Sequence, residues 1–158
     1  MNREEKAPGR PTHWDEGGKP RMVDVSGKEP TLREARAAGK ILMEETTLEL
    51  VRSGRTPKGE IFTVAQVAGI QAAKRTGDLI PLCHPLRLTY AEVEITALPP
   101  DVLRIESKVR TRDRTGVEME ALAACAAAAL TVYDMAKAVD RGMVIEEIRL
   151  VEKKKSRG

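Results

Sequence analysis

The sequence has 158 residues, a length that suits one domain with its own hydrophobic core. Charged residues of both signs make up 32% of it, which argues against long disorder. The net charge of +3 is far below that of a dedicated nucleic-acid-binding domain, and residues 121–132, the longest apolar stretch, are too few to span a membrane, which takes about 20 residues.

The two ends of the chain differ in composition from its middle. Residues 1–20 carry prolines and glycines among charges and are expected to form a flexible arm, whereas residues 153–158 are expected to form a mobile basic tail. Residues 21–152 then make up the single folded domain. Since Met1 leads into no apolar run and the two cysteines form no CxxC pair, a cytoplasmic protein is expected.

The first half of the domain is predicted to alternate strands and helices. Residues 22–25 form a short strand, and the ambiguous pattern of residues 31–41 favours a strand because Gly39 weakens a helix there. Residues 44–52 are typical of a short helix. A longer helix over residues 59–75 is predicted from apolar side chains that recur at steps of three and four.

The second half begins with a predicted antiparallel hairpin. Residues 88–95 and 102–112 read as strands, and residues 99–101, Pro-Pro-Asp, turn the chain between them. A long helix is then expected from Gly116 to about Val139, with Thr115 as its cap.

A last strand is predicted over residues 143–151, with Val144, Ile148 and Leu150 buried. Several strands, two main helices and a hairpin indicate an α+β fold, in which an antiparallel or mixed sheet carries its helices on one face.

The segment Leu79–Pro85 places Cys83 and His84 on a backbone that two prolines stiffen. The simplest interpretation is a rigid connector with a buried thiol and a hydrogen-bonded imidazole. A zinc site is disfavoured because the cysteines and histidines lack metal-ligand spacing, and a Cys-His nucleophile is doubtful because adjacent side chains point apart on an extended chain. His84 remains open as a hydrogen-bond donor or proton carrier.

The long helix carries a second candidate group. By helical geometry Glu120, Asp134 and Lys137 share one face, but Glu120 and Asp134 lie about 21 Å apart at about 1.5 Å per residue. One chain could not bring both to a small molecule unless that molecule is elongated, whereas a neighbouring subunit could complete such a site. The alternatives are a solvated face or a surface ion pair. Lys58 precedes a helix N-terminus, where anions are favoured, and Arg33 is among several guanidinium groups suited to phosphate.

Taken together, these motifs resemble the cyclic pyranopterin monophosphate synthase family, also called the molybdenum cofactor biosynthesis protein C family. The resemblance covers roughly residues 12–152 and is carried by these stretches: Met22–Ser26, Ala68–Lys74, Leu79–Pro85, Thr115–Leu122, Tyr133–Met135 and Lys137-Ala138. The chain departs from the family pattern at Glu60, where the family usually has Asp, and at its C-terminal end, where the family usually has a glycine-containing Lys-Ser-Gly segment.

The resemblance implies a lyase of molybdenum cofactor (molybdopterin) biosynthesis. Such an enzyme converts the GTP-derived nucleotide 3′,8-cyclo-7,8-dihydro-GTP to cyclic pyranopterin monophosphate and releases pyrophosphate. The resemblance also implies a ferredoxin-like fold and a homohexamer, a trimer of dimers, with active sites between subunits. No cofactor or metal site is expected, although a divalent cation could accompany the phosphates.

The resemblance further assigns roles to individual residues. Asp134 and Lys137 are expected to act as the acid/base pair, with Lys58 as a second catalytic lysine. Arg33 is expected to hold phosphate. The residues expected to line the substrate are Leu82, Cys83, His84, Met119 and Glu120.

Two other classes of function compete with this interpretation. An RNA-binding module would need aromatic side chains on its strands for base stacking, and Tyr90 is the only one predicted there. A purely structural protein would tolerate replacement of Lys58, Asp134 and Lys137.

Overall fold

A computed structural model describes residues 13–56 and 58–156. Its elements in chain order are β1 (Thr31–Leu42), α1 (Glu45–Arg52), α2 (Ile61–Lys74), α3 (Thr76–Leu79), β2 (Leu88–Leu98), β3 (Val102–Asp113), α4 (Glu118–Ala136) and β4 (Val144–Ser156). The strands form one sheet in the order β2-β3-β1-β4, and every pairing is antiparallel. This βαββαβ arrangement, with helices on one side of the sheet, confirms the predicted α+β, ferredoxin-like fold.

The central strands form where apolar and charged side chains alternate. In β1, Ala35, Ala37 and Ile41 are buried under the helices, and in β3, Leu103 and Ile105 are buried beside them. The side chains between these positions point to the opposite face of the sheet, since successive residues of a strand alternate in direction. That open face carries ion pairs in place of a second helical layer, among them Arg36 with Glu106 at 3.6 Å.

Small residues allow α2 and α4 to pack closely against each other. A β-carbon on Gly69 of α2 would lie only 2.7 Å from the carbonyl oxygen of Ala124 in α4. The two helices run antiparallel, so that Lys58, just before α2, meets Asp134 near the end of α4. By length and composition α4 could span a membrane, but it lies against the sheet and α2 and supplies core residues such as Ala121 and Val132.

Three local predictions differ from the structure. Residues 22–25 form no strand. They lie against the loop that carries His84, where the carbonyl oxygen of Val23 contacts the imidazole. Thr115 does not cap α4, because Val117 occupies the N-cap position and no side chain caps the helix. The helix also ends at Ala136, whose carbonyl accepts bonds from the N–H groups of Val139 and Asp140 in a tight turn.

The last strand differs most from its prediction. Val144 and Leu150 are 49% and 36% exposed, because β4 is an edge strand whose register with β1 shifts twice and in which Glu147 has φ 55°. Ile148 does pack against the core. Lysines 153–155 belong to β4 and pair with β1, so they do not form a separate tail.

At the other end, residues 13–20 form a small turn closed by a bridge between Trp14 and Pro20. The rest of the predicted arm, residues 1–12, lies outside the described residues, as do the last two residues of the predicted tail.

Candidate active site

A cleft of about 480 Å³ lies beside the beginning of α4. Its walls come from the segment after α3 and from the approach to α4. The lining residues are His13, Ile80, Pro81, Leu82, Cys83, His84, Thr115, Gly116, Glu118 and Met119. Four residues predicted to line the substrate are therefore brought together here, although their roles stay a prediction.

The loop that presents Cys83 and His84 is held by hydrogen bonds at both residues. The N–H of Cys83 donates to the carbonyl of Ile80 at 3.1 Å, and Nε2 of His84 donates to the carbonyl of Val23 at 2.7 Å. Because a carbonyl only accepts, this contact places a proton on Nε2. Nδ1 is then the ring nitrogen that can either carry a proton or accept a hydrogen bond. The segment is thus both a rigid connector and one wall of the cleft.

Glu120 is a buried carboxylate at the edge of this cleft. It is 2% exposed, and its Oε1 accepts a hydrogen bond from Sγ of Cys83 at 3.9 Å. Its Oε2 is buried without a hydrogen-bond partner among the described residues. Burial raises the pKa of Glu120. The pKa of Cys83 is raised as well, mainly by burial and next by the charge of the nearby Glu120. A ligand with a hydrogen-bond donor would satisfy this carboxyl group.

An ion pair at the same cleft joins two charged residues that were not among the predicted site residues. Glu118 lines the cleft and accepts a hydrogen bond from Nζ of Lys153 at 3.2 Å. In the sequence Glu118 is explained by the helix dipole alone, and Lys153 falls in an apparent tail. Only the pairing of β4 with β1 brings the lysine to the beginning of α4.

Arg33 also belongs to this end of the molecule. Its Nη2 donates to the carbonyl of Arg114 at 3.3 Å, one residue before Thr115 in the cleft wall. Its Nε is buried and has no partner among the described residues. A guanidinium group with an unused donor is suited to an anion.

The three predicted catalytic residues form a second group, at the far end of α4. Nζ of Lys137 lies 2.7 Å from Oδ1 of Asp134, and Nζ of Lys58 lies 3.8 Å from Oδ2 and 3.1 Å from the carbonyl oxygen of the same residue. The hydrogen bond from Lys137, and then the charge of Lys58, lower the pKa of Asp134. All three side chains are largely exposed, so a ligand can reach them.

Lys58 is presented by a tight turn before α2. Gly59 has φ 85°, a conformation that favours glycine, and its N–H donates to the carbonyl of Thr56 at 3.0 Å. Glu60, where the family usually has Asp, caps α2 by accepting from the N–H of Thr63 at 3.1 Å. The hydrogen bonds from Thr63 lower the pKa of Glu60. The longer carboxylate therefore still performs the capping role that its position requires.

Helical spacing still puts Glu120 and Asp134 about 40° apart around the axis of α4, as expected, but their burial differs. Glu120 is 2% exposed under the loop that carries Cys83, whereas the side chain of Asp134 is 62% exposed. Their separation in sequence still corresponds to about 21 Å along the helix axis. The two groups are therefore distinct in one chain. Within residues 13–56 and 58–156, no three His, Cys, Asp or Glu side chains come together as a metal site.

Comparison with known proteins adds a family to this geometry. The model of the MoaC family matches residues 22–156, which include every element of the fold and both groups of site residues. The chain belongs to the MoaC family.

Two curated relatives carry the name cyclic pyranopterin monophosphate synthase. The one from Desulfitobacterium hafniense is 55% identical over 142 residues, which cover 90% of this chain and 87% of the relative. The one from Thermomicrobium roseum is 59% identical over 143 residues, which cover 90% of this chain and 86% of the relative. The matched region therefore spans nearly the whole of each protein.

Proposed function

We propose that this protein is a lyase of molybdenum cofactor biosynthesis that converts 3′,8-cyclo-7,8-dihydro-GTP to cyclic pyranopterin monophosphate and pyrophosphate. The observation that carries the proposal is the 55–59% identity, over 90% of the chain, to relatives named for this product. The two groups of polar side chains at the ends of α4 supply residue types that this chemistry needs.

The reaction requires both proton transfers and a phosphorus–oxygen exchange. Turning the purine into a pterin moves protons at ring nitrogens and sugar carbons. Closing the cyclic phosphate joins a substrate hydroxyl oxygen to the α-phosphorus, passes the hydroxyl proton to a base, and expels pyrophosphate with the electron pair of the broken bond. Ammonium groups stabilise such a leaving group and also donate protons.

Asp134, Lys137 and Lys58 are the proposed acid/base group. Asp134 is ionised near neutral pH as any exposed aspartate is, and the hydrogen bond from Lys137 lowers its pKa further, so its carboxylate can hold both ammonium groups in place. Either lysine can then give a proton to the substrate and recover it later. His84 and Glu120, at the other end of α4, would bind the substrate by hydrogen bonds, and Arg33 would hold phosphate.

Incubation with 3′,8-cyclo-7,8-dihydro-GTP, followed by assays of pyrophosphate and pterin, tests the proposal. Asp134→Asn should lower turnover by about 10²–10⁴-fold, as expected for the loss of an acid/base group. The matched control is Glu49→Gln, which breaks another exposed i,i+3 ion pair, with Arg52 at 2.8 Å, on α1 and outside both groups of site residues. No product from the unaltered protein contradicts the function. Equal activity in both variants removes Asp134 from the mechanism.

We also propose that the sites lie between subunits of a homohexamer, a trimer of dimers. The distance between the two groups supports a site shared between subunits, since a compact ligand in the cleft at one end of α4 does not reach a cluster about 21 Å away in the same chain, and the family resemblance implies the hexamer. A second copy could supply the missing end.

Subunit mixing tests this arrangement. His84→Ala and Lys137→Ala should each be inactive alone. If a site takes His84 from one subunit and Lys137 from another, random mixing in equal amounts leaves about one quarter of the sites with neither lesion. The two variants are unfolded mildly, refolded together and checked by mass for mixed assembly. No recovered activity in a confirmed mixed oligomer means that one subunit supplies both residues.

A further inference from the structure

A second cleft, of about 430 Å³, opens beside the proposed acid/base group. It is lined by Lys58, Tyr133, Lys137, Ala138 and Arg141. We infer that Arg141 binds the two outer phosphates of the substrate and then the departing pyrophosphate. This inference rests on the proposed function and adds to it a residue that the predicted site did not contain.

The charges around the cleft leave Arg141 available for an anion. Lys58 and Lys137 both contact Asp134. The guanidinium of Arg141 is exposed and makes no hydrogen bond or ion pair with any described residue. The three positive charges of this cleft stand against the carboxylates of Asp134 beside it and of Asp140 beneath Arg141, which leaves a net charge of +1. Such a surface attracts a strongly anionic group.

The backbone on both sides of Arg141 is held by one buried carboxylate. Asp140 is 6% exposed; its Oδ1 accepts from the N–H of Gly142 at 2.8 Å and its Oδ2 from the N–H of Glu44 at 2.9 Å. The N–H of Asp140 itself bonds to the carbonyl of Ala136 at 3.2 Å, at the end of α4. The arginine thus projects from a fixed turn, which lowers the entropy lost when it binds a ligand.

Arginine suits this role better than the two lysines do. Its planar fork can donate two parallel hydrogen bonds to the oxygens of a phosphate group. The lysine ammonium groups are already engaged by Asp134 and are proposed to exchange protons at the reacting atoms. A separate fixed cation would stabilise charge on pyrophosphate as it leaves.

Calorimetric titration of inorganic pyrophosphate into the full-length protein tests the inference. Arg141→Gln should weaken pyrophosphate binding about tenfold, and Arg141→Lys, which keeps the charge without the fork, should weaken it less. The matched control is Arg104→Gln, an exposed arginine on the opposite face of the sheet from α4, paired with Glu106 at 2.8 Å. It should bind pyrophosphate as the unaltered protein does. In steady-state kinetics Arg141→Gln should raise KM for the cyclised nucleotide.

Each outcome bears on one proposal. Pyrophosphate binding unchanged in Arg141→Gln, or absent in the unaltered protein, overturns the inference. So does a sedimentation profile in which Arg141→Gln dissociates the assembly, because Arg141 would then be an interface residue. Binding through Arg141 in a protein that does not convert the cyclised nucleotide contradicts only the proposed function. Conversion with binding independent of Arg141 contradicts only the inference.

Discussion

A methyl group at position 69 tests how α2 packs against α4. A β-carbon on Gly69 would lie 2.7 Å from the carbonyl oxygen of Ala124 and 2.8 Å from Cγ2 of Val93. The valine side chain can rotate, but the carbonyl belongs to the backbone of α4. In Gly69→Ala the two helices must therefore move apart.

The expected cost combines two opposing terms. Overpacking a core costs about 1–3 kcal/mol, whereas alanine is a better helix former than glycine by about 1 kcal/mol. Since the approach to Ala124 is to backbone, the packing cost should lie at the upper end, which leaves a net loss of about 2 kcal/mol. For a chain of this size that loss lowers Tm by about 4–8 °C.

Thermal and urea unfolding measure the loss directly. The control is Ala68→Gly at the neighbouring, half-buried position, which tests helix propensity without the contact and should cost about 1 kcal/mol. Turnover of Gly69→Ala should also fall, because the contact between Lys58 and Asp134 crosses the same helix pair. A melting temperature equal to or above that of the unaltered protein refutes the close approach of α2 and α4.

Two further predictions concern buried carboxylates. Because burial raises the pKa of Glu120, the folded chain holds more protons than the unfolded chain between the usual glutamate pKa and the raised one, so stability falls as pH rises through that interval. Glu120→Gln should remove this fall, which urea midpoints at a series of pH values will show; an unchanged pH dependence contradicts the assignment. Asp140→Ala leaves the N–H groups of Glu44 and Gly142 without their acceptor and should cost about 3 kcal/mol. A loss within experimental error would mean that the turn is held by other contacts.

The strands and helices that the sequence predicts well are those with one buried side. Buried and more exposed side chains alternate along residues 31–41 and along the hairpin, because only one face of the sheet meets the helices. Apolar residues recur at regular steps along α2 because only one side of that helix faces the core. The edge strand β4 gives a weaker pattern, since its register shifts twice and side chains such as Val144 are left exposed. Its lysines resemble a tail because nothing local shows that they pair with β1.

For the site, the sequence predicts some of the side chains that the structure brings together and misses others, while their chemical roles stay a prediction. The neighbours Asp134 and Lys137 could be paired from helical spacing alone, and the structure places Lys58 beside them. Helical spacing did not reveal that Glu120 is buried, because burial depends on the loop that carries Cys83. Nor could it bring Lys153 to Glu118, which requires a β4 that continues along β1.

The packing that stabilises the fold is also what keeps the two groups apart. Because α2 runs antiparallel to α4, the lysine before α2 must meet the end of α4, and the loop that follows α3 must return to the beginning of α4. The cleft with its buried carboxylate and the cluster with its exposed cations are therefore held at opposite ends of one rigid helix. A shift of side chains cannot remove about 21 Å of helix. Under the proposed function, a substrate too short to span this distance takes the two groups from two copies of the chain, whichever lysine transfers the proton.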